Sequence, residues 1–153
     1  MMGVTMIVSD ILKVKGSVLY TAQPDQLLTQ AMAVMAEKDI GSLCVMAQGS
    51  LVGMLTFREI IAVLNRQQGS VGDCTVRSVM DASPIACSLD TPVNEVRRMM
   101  LEHHTRYLPV MSERTLMGVI SFYDVARAVL EAQSFENQLL KAYIKDWPSE
   151  KDE

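Results

Sequence analysis

LMGVISFYDV, residues 116–125, reads as a strand that ends where a helix begins, with a hydroxyl at Ser121 and a carboxylate at Asp124 three positions on. LVGMLTFREI, residues 51–60, repeats the junction with the same glycine, Thr56 in place of the serine and Glu59 in place of the aspartate. A chain of 153 residues that builds one junction twice is organised as a duplication. The rest of the sequence extends the pattern: VSDIL (8–12) is answered by VRSVM (76–80), SVLYT (17–21) by PIACS (84–88), and IGSLCVM (40–46) by TRYLPVM (105–111). Val8 and Val76 stand 68 residues apart and Leu51 and Leu116 only 65, so the difference is absorbed in the loop before each first helix.

Each copy reads as strand, helix, strand, strand, helix. In the second, Ile85 to Leu89 form a short strand, Thr91 is the N-cap with Pro92 at the first helical position, and the helix runs to His103. Val93, Val96, Met99, Met100 and His103 recur at helical spacing, as do Leu28, Met32, Met35 and Ala36, which marks one buried face per helix. Strands over 42–46 and 107–111, the polar turns AQGS and SERT, strands over 51–55 and 116–120, and closing helices from Phe57 and Phe122 complete the copies. One unit of about 60 residues buries too little apolar surface to be stable alone, so two must share a core. The expectation is a mixed α/β (α+β) fold of two β-α-β-β-α repeats about a pseudo-twofold axis. The first repeat covers 5–67, a linker 68–75 and the second repeat 76–133; a helical extension over 134–147 and a charged tail, 148–153, follow.

Composition removes several classes. Apolar residues make up 49% and charged residues 21%, which specifies a globular body. The net charge of -4, with no lysine or arginine cluster, offers no field for a nucleic acid backbone. The opening MMGVTMIVSD has no basic region and no segment approaches the roughly 20 apolar residues of a membrane span, so the expectation is a cytoplasmic protein with no membrane partner. Cys44, Cys74 and Cys87 are odd in number and widely spaced, which fits reduced thiols and neither a disulfide framework nor a metal site. His103 and His104 are adjacent on a helix and point apart, and no nucleophile has a base placed beside it by sequence. No catalytic residue is expected, and the chain is not read as an enzyme.

The junctions themselves allow two chemistries. At a helix start the unpaired N–H groups and a serine hydroxyl can hold a phosphate, while a carboxylate suits the two hydroxyl donors of a ribose diol. The other reading is that Ser121 with Asp124, and Thr56 with Glu59, are capping boxes that satisfy the helix's own donors.

The ordered set of VSDIL-like opening, helix, RYLPV-like strand, hairpin and G-h-h-[ST]-x-x-[DE] junction (h apolar), present twice over residues 5–133, resembles the cystathionine-beta-synthase (CBS) domain, paired as in the Bateman module. The resemblance implies a regulatory module that binds an adenosine-containing ligand in clefts between the halves. AMP, ADP, ATP, NAD or S-adenosylmethionine are the candidates, and a homodimer is the common assembly. It also implies residue roles. Ser121 would meet phosphate and Asp124 ribose. Arg106, ahead of YLPV, would reach phosphate, its alternative being a pair with Glu102. Tyr20, Ile40 and Gly41 would surround a base, Tyr20 being otherwise a core residue. A second, weaker site would comprise Thr56, Arg58, Glu59 and Cys87, with Glu59 one methylene longer than the family's aspartate and Arg58 reaching phosphate or solvent.

Beyond Asp124, Val125, Val129, Ala132, Leu139 and Tyr143 mark a longer helix with a partial apolar face, either packed on another subunit or folded back on its own module. The function expected is a nucleotide-responsive module acting on an effector protein; the alternative is a ligand-independent interaction or scaffold module.

Overall fold

The computed structural model describes residues 5–16 and 18–145. The charged tail at 148–153, the last two residues of the expected extension, the side chain of Tyr143 and Ser17 of SVLYT lie outside the described residues. The order is α1 (Val8–Lys15), β1 (Thr21–Ala22), α2 (Leu28–Lys38), β2 (Ser42–Ala47), β3 (Ser50–Thr56), α3 (Phe57–Arg66), α4 (Val76–Val79), α5 (Val93–His103), β4 (Tyr107–Ser112), β5 (Thr115–Ser121) and α6 (Phe122–Lys145). β1 runs parallel to β2, and β2 pairs antiparallel with β3; β4 and β5 form the matching hairpin of the second repeat. The two hairpins share register, Ser42 facing Thr56 and Tyr107 facing Ser121, and each bulges at the same place, between Val45 and Met46 and between Val110 and Met111. The duplication read from the sequence is therefore a duplication of backbone geometry, in a mixed α+β fold.

The two first strands are shorter than the apolar runs predict. Only Thr21 and Ala22 join the first sheet, and PIACS contributes a single parallel bridge, Cys87 to Val110. Cys87 N–H donates to the Pro109 carbonyl at 3.0 Å and its own carbonyl accepts from Met111 N–H at 2.8 Å. The chain then turns away, because Thr91 Oγ1 accepts from Ser88 N–H at 2.9 Å. That use of the hydroxyl also corrects the expected cap: α5 starts at Val93, with Pro92 in the cap position and no side-chain cap.

What replaces the missing cap organises the whole molecule. The first helical N–H of α5, at Val93, donates to the carbonyl of Met6 at 2.9 Å, and that of α2, at Leu28, donates to the carbonyl of Cys74 at 2.8 Å. The opening segment of each repeat therefore caps the long helix of the other. The exchange is completed by Val8 N–H to Thr91 and Ser9 N–H to Leu89, matched by Val76 N–H to Gln26 and Arg77 N–H to Pro24. Packing follows the hydrogen bonds. Val8 and Ile11 are buried with Val96, Met100, Leu108, Ile120 and Val125 of the second half, whereas Val71 and Val76 are buried with Leu28, Met35, Leu43, Leu55 and Val63 of the first. Val8 and Val76 are fully buried, each contributing roughly 1.5 kcal/mol or more of apolar burial across the exchange.

The exchange also explains the glycine in each junction. A Cβ on Gly53 would stand 2.7 Å from Met80 Sδ and 2.8 Å from the Asp81 carbonyl oxygen, and one on Gly118 would stand 3.2 Å from Leu12 Cδ2. Each glycine lets the other repeat's opening segment cross its hairpin.

Burial refines the helix faces. Val93, Val96 and Met100 are buried, Met99 packs against them, and His103 is exposed; in α2, Ala31 takes the buried place expected of Ala36. α6 is one continuous helix whose Val125 and Ala128 are buried, while Phe135, Leu139, Leu140 and Ile144 are each more than half exposed, so the extension does not fold back on its module. Among the described residues no helix is long and apolar enough to cross a membrane. Cys87, expected beside the weaker site, is instead part of the second half's core, because its parallel bridge turns the thiol inward. Burial pushes the Cys44 and Cys87 thiols up to about 12.

Two outcomes follow. Gly53→Ala, which must move backbone, lowers stability by about 1–3 kcal/mol, and Gly118→Ala, which presses only on the end of Leu12, costs less; denaturant midpoints of the two variants measure the order. A chromogenic disulfide at pH 8 reacts quickly with the half-buried Cys74 and reaches Cys44 and Cys87 only after denaturant is added, so rapid reaction of more than one thiol in native protein would contradict the burial. Because both folded values are raised, the stability their burial contributes is present below the ordinary thiol value and is lost as pH rises toward 12.

Candidate functional site

Both junctions are closed by capping boxes, but their hydroxyls are used in opposite ways. At the second, Ser121 N–H donates to Asp124 Oδ2 at 2.9 Å and Asp124 N–H donates to Ser121 Oγ at 3.1 Å. The serine hydroxyl hydrogen has no acceptor among the described residues and is available to a ligand. At the first, Thr56 N–H donates to Glu59 Oε1 at 2.8 Å and the Thr56 hydroxyl also donates to Glu59 Oε1, at 2.7 Å. The extra methylene lets the glutamate fold back onto the hydroxyl and consume its proton. Thr56 Oγ1 also accepts from Arg58 N–H at 3.2 Å, so its proton and one of its lone pairs are both engaged within the junction.

The second junction borders a cleft of about 810 Å³, the size of an ordinary small-molecule site. Val18, Tyr20, Ile40 and Gly41 line it from the first repeat and Arg106, Ser121 and Phe122 from the second, with Lys15 at the rim. Five of the six residues expected around the main ligand are thus brought together. Asp124 is not among the lining residues. Its carboxylate, 15% exposed, accepts from Lys15 Nζ at 2.8 Å and borders a neighbouring groove shared with Asp10 and Arg127. Both contacts use Oδ2; Oδ1 has no hydrogen-bond partner among the described residues.

Arg106 is exposed and has no ion pair among the described residues. The pair with Glu102 does not form, because Arg98 holds Glu102 Oε1 at 2.7 Å. Tyr20 is not a core residue: it is 36% exposed, with Lys38 Nζ 5.6 Å from its ring centroid, within the range of a cation–π contact.

A second cleft of about 540 Å³ lies at the first junction, bordered by Thr56, Arg58 and Glu59 with Asp81, His104 and Arg106. Arg58 is exposed, and its Nη1 also donates to the His104 carbonyl across the halves at 3.4 Å. Cys87 does not border this cleft.

Two residues escaped the sequence reading. Tyr107 borders both clefts and packs so closely on Gly41 that a Cβ there would overlap its phenol. Burial raises this phenol above the ordinary tyrosine value, with Arg106 opposing and Asp124 adding to the shift. Its signal was position: it opens β4 directly after Arg106, where the strand leaves the core. Lys15 gave no local signal, since its partner is 109 residues away. Among the described residues no three His, Cys, Asp or Glu side chains converge as a metal site would require.

Comparison with known proteins follows the same division of the chain. The CBS domain family model matches residues 8–66 and again 76–131. The CBS domain-containing protein YhcV of Bacillus subtilis is 30% identical over 106 residues, covering 69% of this chain and 75% of YhcV. A solved structure of a protein with CBS domains from Burkholderia ambifaria superposes with a TM-score of 0.78 at 30% identity, over 84% of this chain and 96% of the other. The CBS domain pair of protein MJ0100, solved with 5'-methylthioadenosine and S-adenosyl-L-methionine, shares the fold at a TM-score of 0.74 and 23% identity, over 84% and 99% of the two chains. With two matched copies joined by a short linker, this chain belongs to the CBS domain family.

Proposed function

We propose that the protein is a regulatory module that binds an adenosine-containing ligand in the larger cleft and signals by shifting the arrangement of its two halves. The observation that carries this reading is the pairing, on one cleft wall, of a free Ser121 hydroxyl at the start of α6 with an uncompensated Arg106 guanidinium. A phosphate accepts from both, the guanidinium offering a planar fork; of the first N–H groups of α6, Phe122 already donates to the Arg106 carbonyl and Asp124 to Ser121 Oγ, which leaves Tyr123 N–H as the backbone donor. Tyr20, Ile40 and Gly41 supply the facing surface for a base; Asp124, which stands behind the cleft wall against Lys15, keeps Oδ1 unpartnered among the described residues and in this reading accepts from ribose hydroxyls once the bound ligand draws its carboxylate to the cleft. The adenosine-derived ligands held by the MJ0100 pair support the ligand class. AMP or ATP is the nucleotide favoured here, with NAD and S-adenosylmethionine as the other arms of a test. Because the wall is assembled from both repeats, occupancy biases their relative position by the ligand's differential affinity for the two arrangements. In this reading the module is non-catalytic, cytoplasmic and homodimeric, and it acts on an effector protein.

The weaker site of Thr56, Arg58 and Glu59 is a poorer binder in this reading, because its hydroxyl is already spent. The completeness of both capping boxes favours a second reading, a ligand-independent interaction module whose motifs only close helices.

Calorimetric titration with AMP, ATP, NAD and S-adenosylmethionine separates the two: saturable binding is expected, and silence across the panel leaves the interaction module. Arg106→Ala and Asp124→Ala are each expected to weaken the bound nucleotide roughly 10- to 100-fold, and Glu59→Ala much less. Each comparison is made on protein shown to be folded, since losing a cap costs about 1 kcal/mol. Light scattering is expected to give a dimer mass at micromolar concentration; a monomer with and without nucleotide removes the assembly from the proposal.

A further inference from the structure

The larger cleft contains a charge arrangement that the junction motif does not specify. Lys15 closes α1, in the opening segment that the first repeat lends to the second half, and its ammonium stands 2.8 Å from both the Val119 carbonyl and Asp124 Oδ2. It therefore lies between the cleft, which it lines, and the Asp124 carboxylate, which borders the groove behind. An ammonium has three donors, so one is left without a protein acceptor among the described residues. Among the described residues Lys15 and Arg106 are the charged side chains that line the cleft, and no carboxylate does. The smaller cleft is mixed: Asp81 and Glu59 line it together with Arg58 and the same Arg106.

We propose that Lys15 is a specificity-determining residue that selects an anionic nucleotide over the uncharged nucleoside. This rests on the larger cleft being the adenosine site. A carboxylate beside the start of α6 is useful to a ribose but repels a phosphate held by the same helix turn. The Lys15 ammonium offsets that charge and presents its remaining donor to the phosphate, so one short junction serves both parts of the ligand. A cationic sulfonium ligand gains nothing from this arrangement and is disfavoured beside the unpaired Arg106 guanidinium and the remaining Lys15 donor.

The test is calorimetric titration of AMP and adenosine into wild type, Lys15→Gln and Lys15→Arg. Glutamine removes the charge and keeps an amide donor on a side chain one bond shorter; arginine restores the charge. Wild type is expected to bind AMP at least tenfold tighter than adenosine. Lys15→Gln is expected to lose most of that preference through weaker AMP binding, with adenosine changed less than about threefold, and Lys15→Arg to recover it. Thermal unfolding without ligand shows that each variant is folded. Equal weakening of AMP and adenosine in Lys15→Gln assigns Lys15 a purely structural role and overturns the proposal, as does an unchanged preference or a wild type that does not prefer AMP. If wild type binds neither compound, the adenosine site itself is refuted and this inference with it.

Discussion

Two backbone hydrogen bonds across the pseudo-twofold, Val93 N–H to Met6 and Leu28 N–H to Cys74, are the constraint on which the remaining structure depends. A helix start buried without partners for its N–H groups is costly, and in neither α2 nor α5 does an N-cap side chain accept from them. Each borrows a carbonyl from the other repeat's opening segment, and once that segment is in place its valine and its neighbours fill the core beside the helix. The junction glycines, the adjacency of the two clefts and the position of Lys15 all follow from where these segments cross.

The same constraint explains why two similar sequences make unlike sites. The repeats share strand register and bulge position, so their junctions start with identical backbones. One methylene at residue 59 then closes the first junction on itself, while the shorter Asp124 leaves its serine free. The opening segments add the second difference, a lysine at one rim and an aspartate at the other. Duplication supplied the geometry, and a few side chains divided the chemistry.

What could be read from the sequence was whatever is local. Ser121 with Asp124 and Thr56 with Glu59 interact three residues apart, so their boxes were visible in the string, and the run from Tyr107 to Met111 ahead of the polar SERT turn marked β4 without further help. Thr91 misled because its hydroxyl turns back to Ser88 instead of forward to the helix, a choice that local pattern leaves open. Cys87 misled because a single bridge, not a strand, decides which way its thiol faces. The exchange itself was out of reach: the apolar spacing of VSDIL states that Val8 and Ile11 are buried, not that they are buried in the other half. For that reason the expected ligand set lacked Lys15, and Asp124 was expected to face the cleft directly.

The crossing of the opening segments also fixes an order of events at the ribosome. α1 is made before its burial partners, which extend to Ala128, so it waits until the start of α6 has been made. The first half is better placed, since Val71 and Val76, which complete its core, follow α3 almost at once. Synthesis therefore closes the half containing α2 first and leaves the apolar face of Val8 to Lys15 without its partners until the last hairpin and the first turns of α6 arrive. For the same reason a cut in the linker does not yield two autonomous repeats, because each product carries the segment that the other needs.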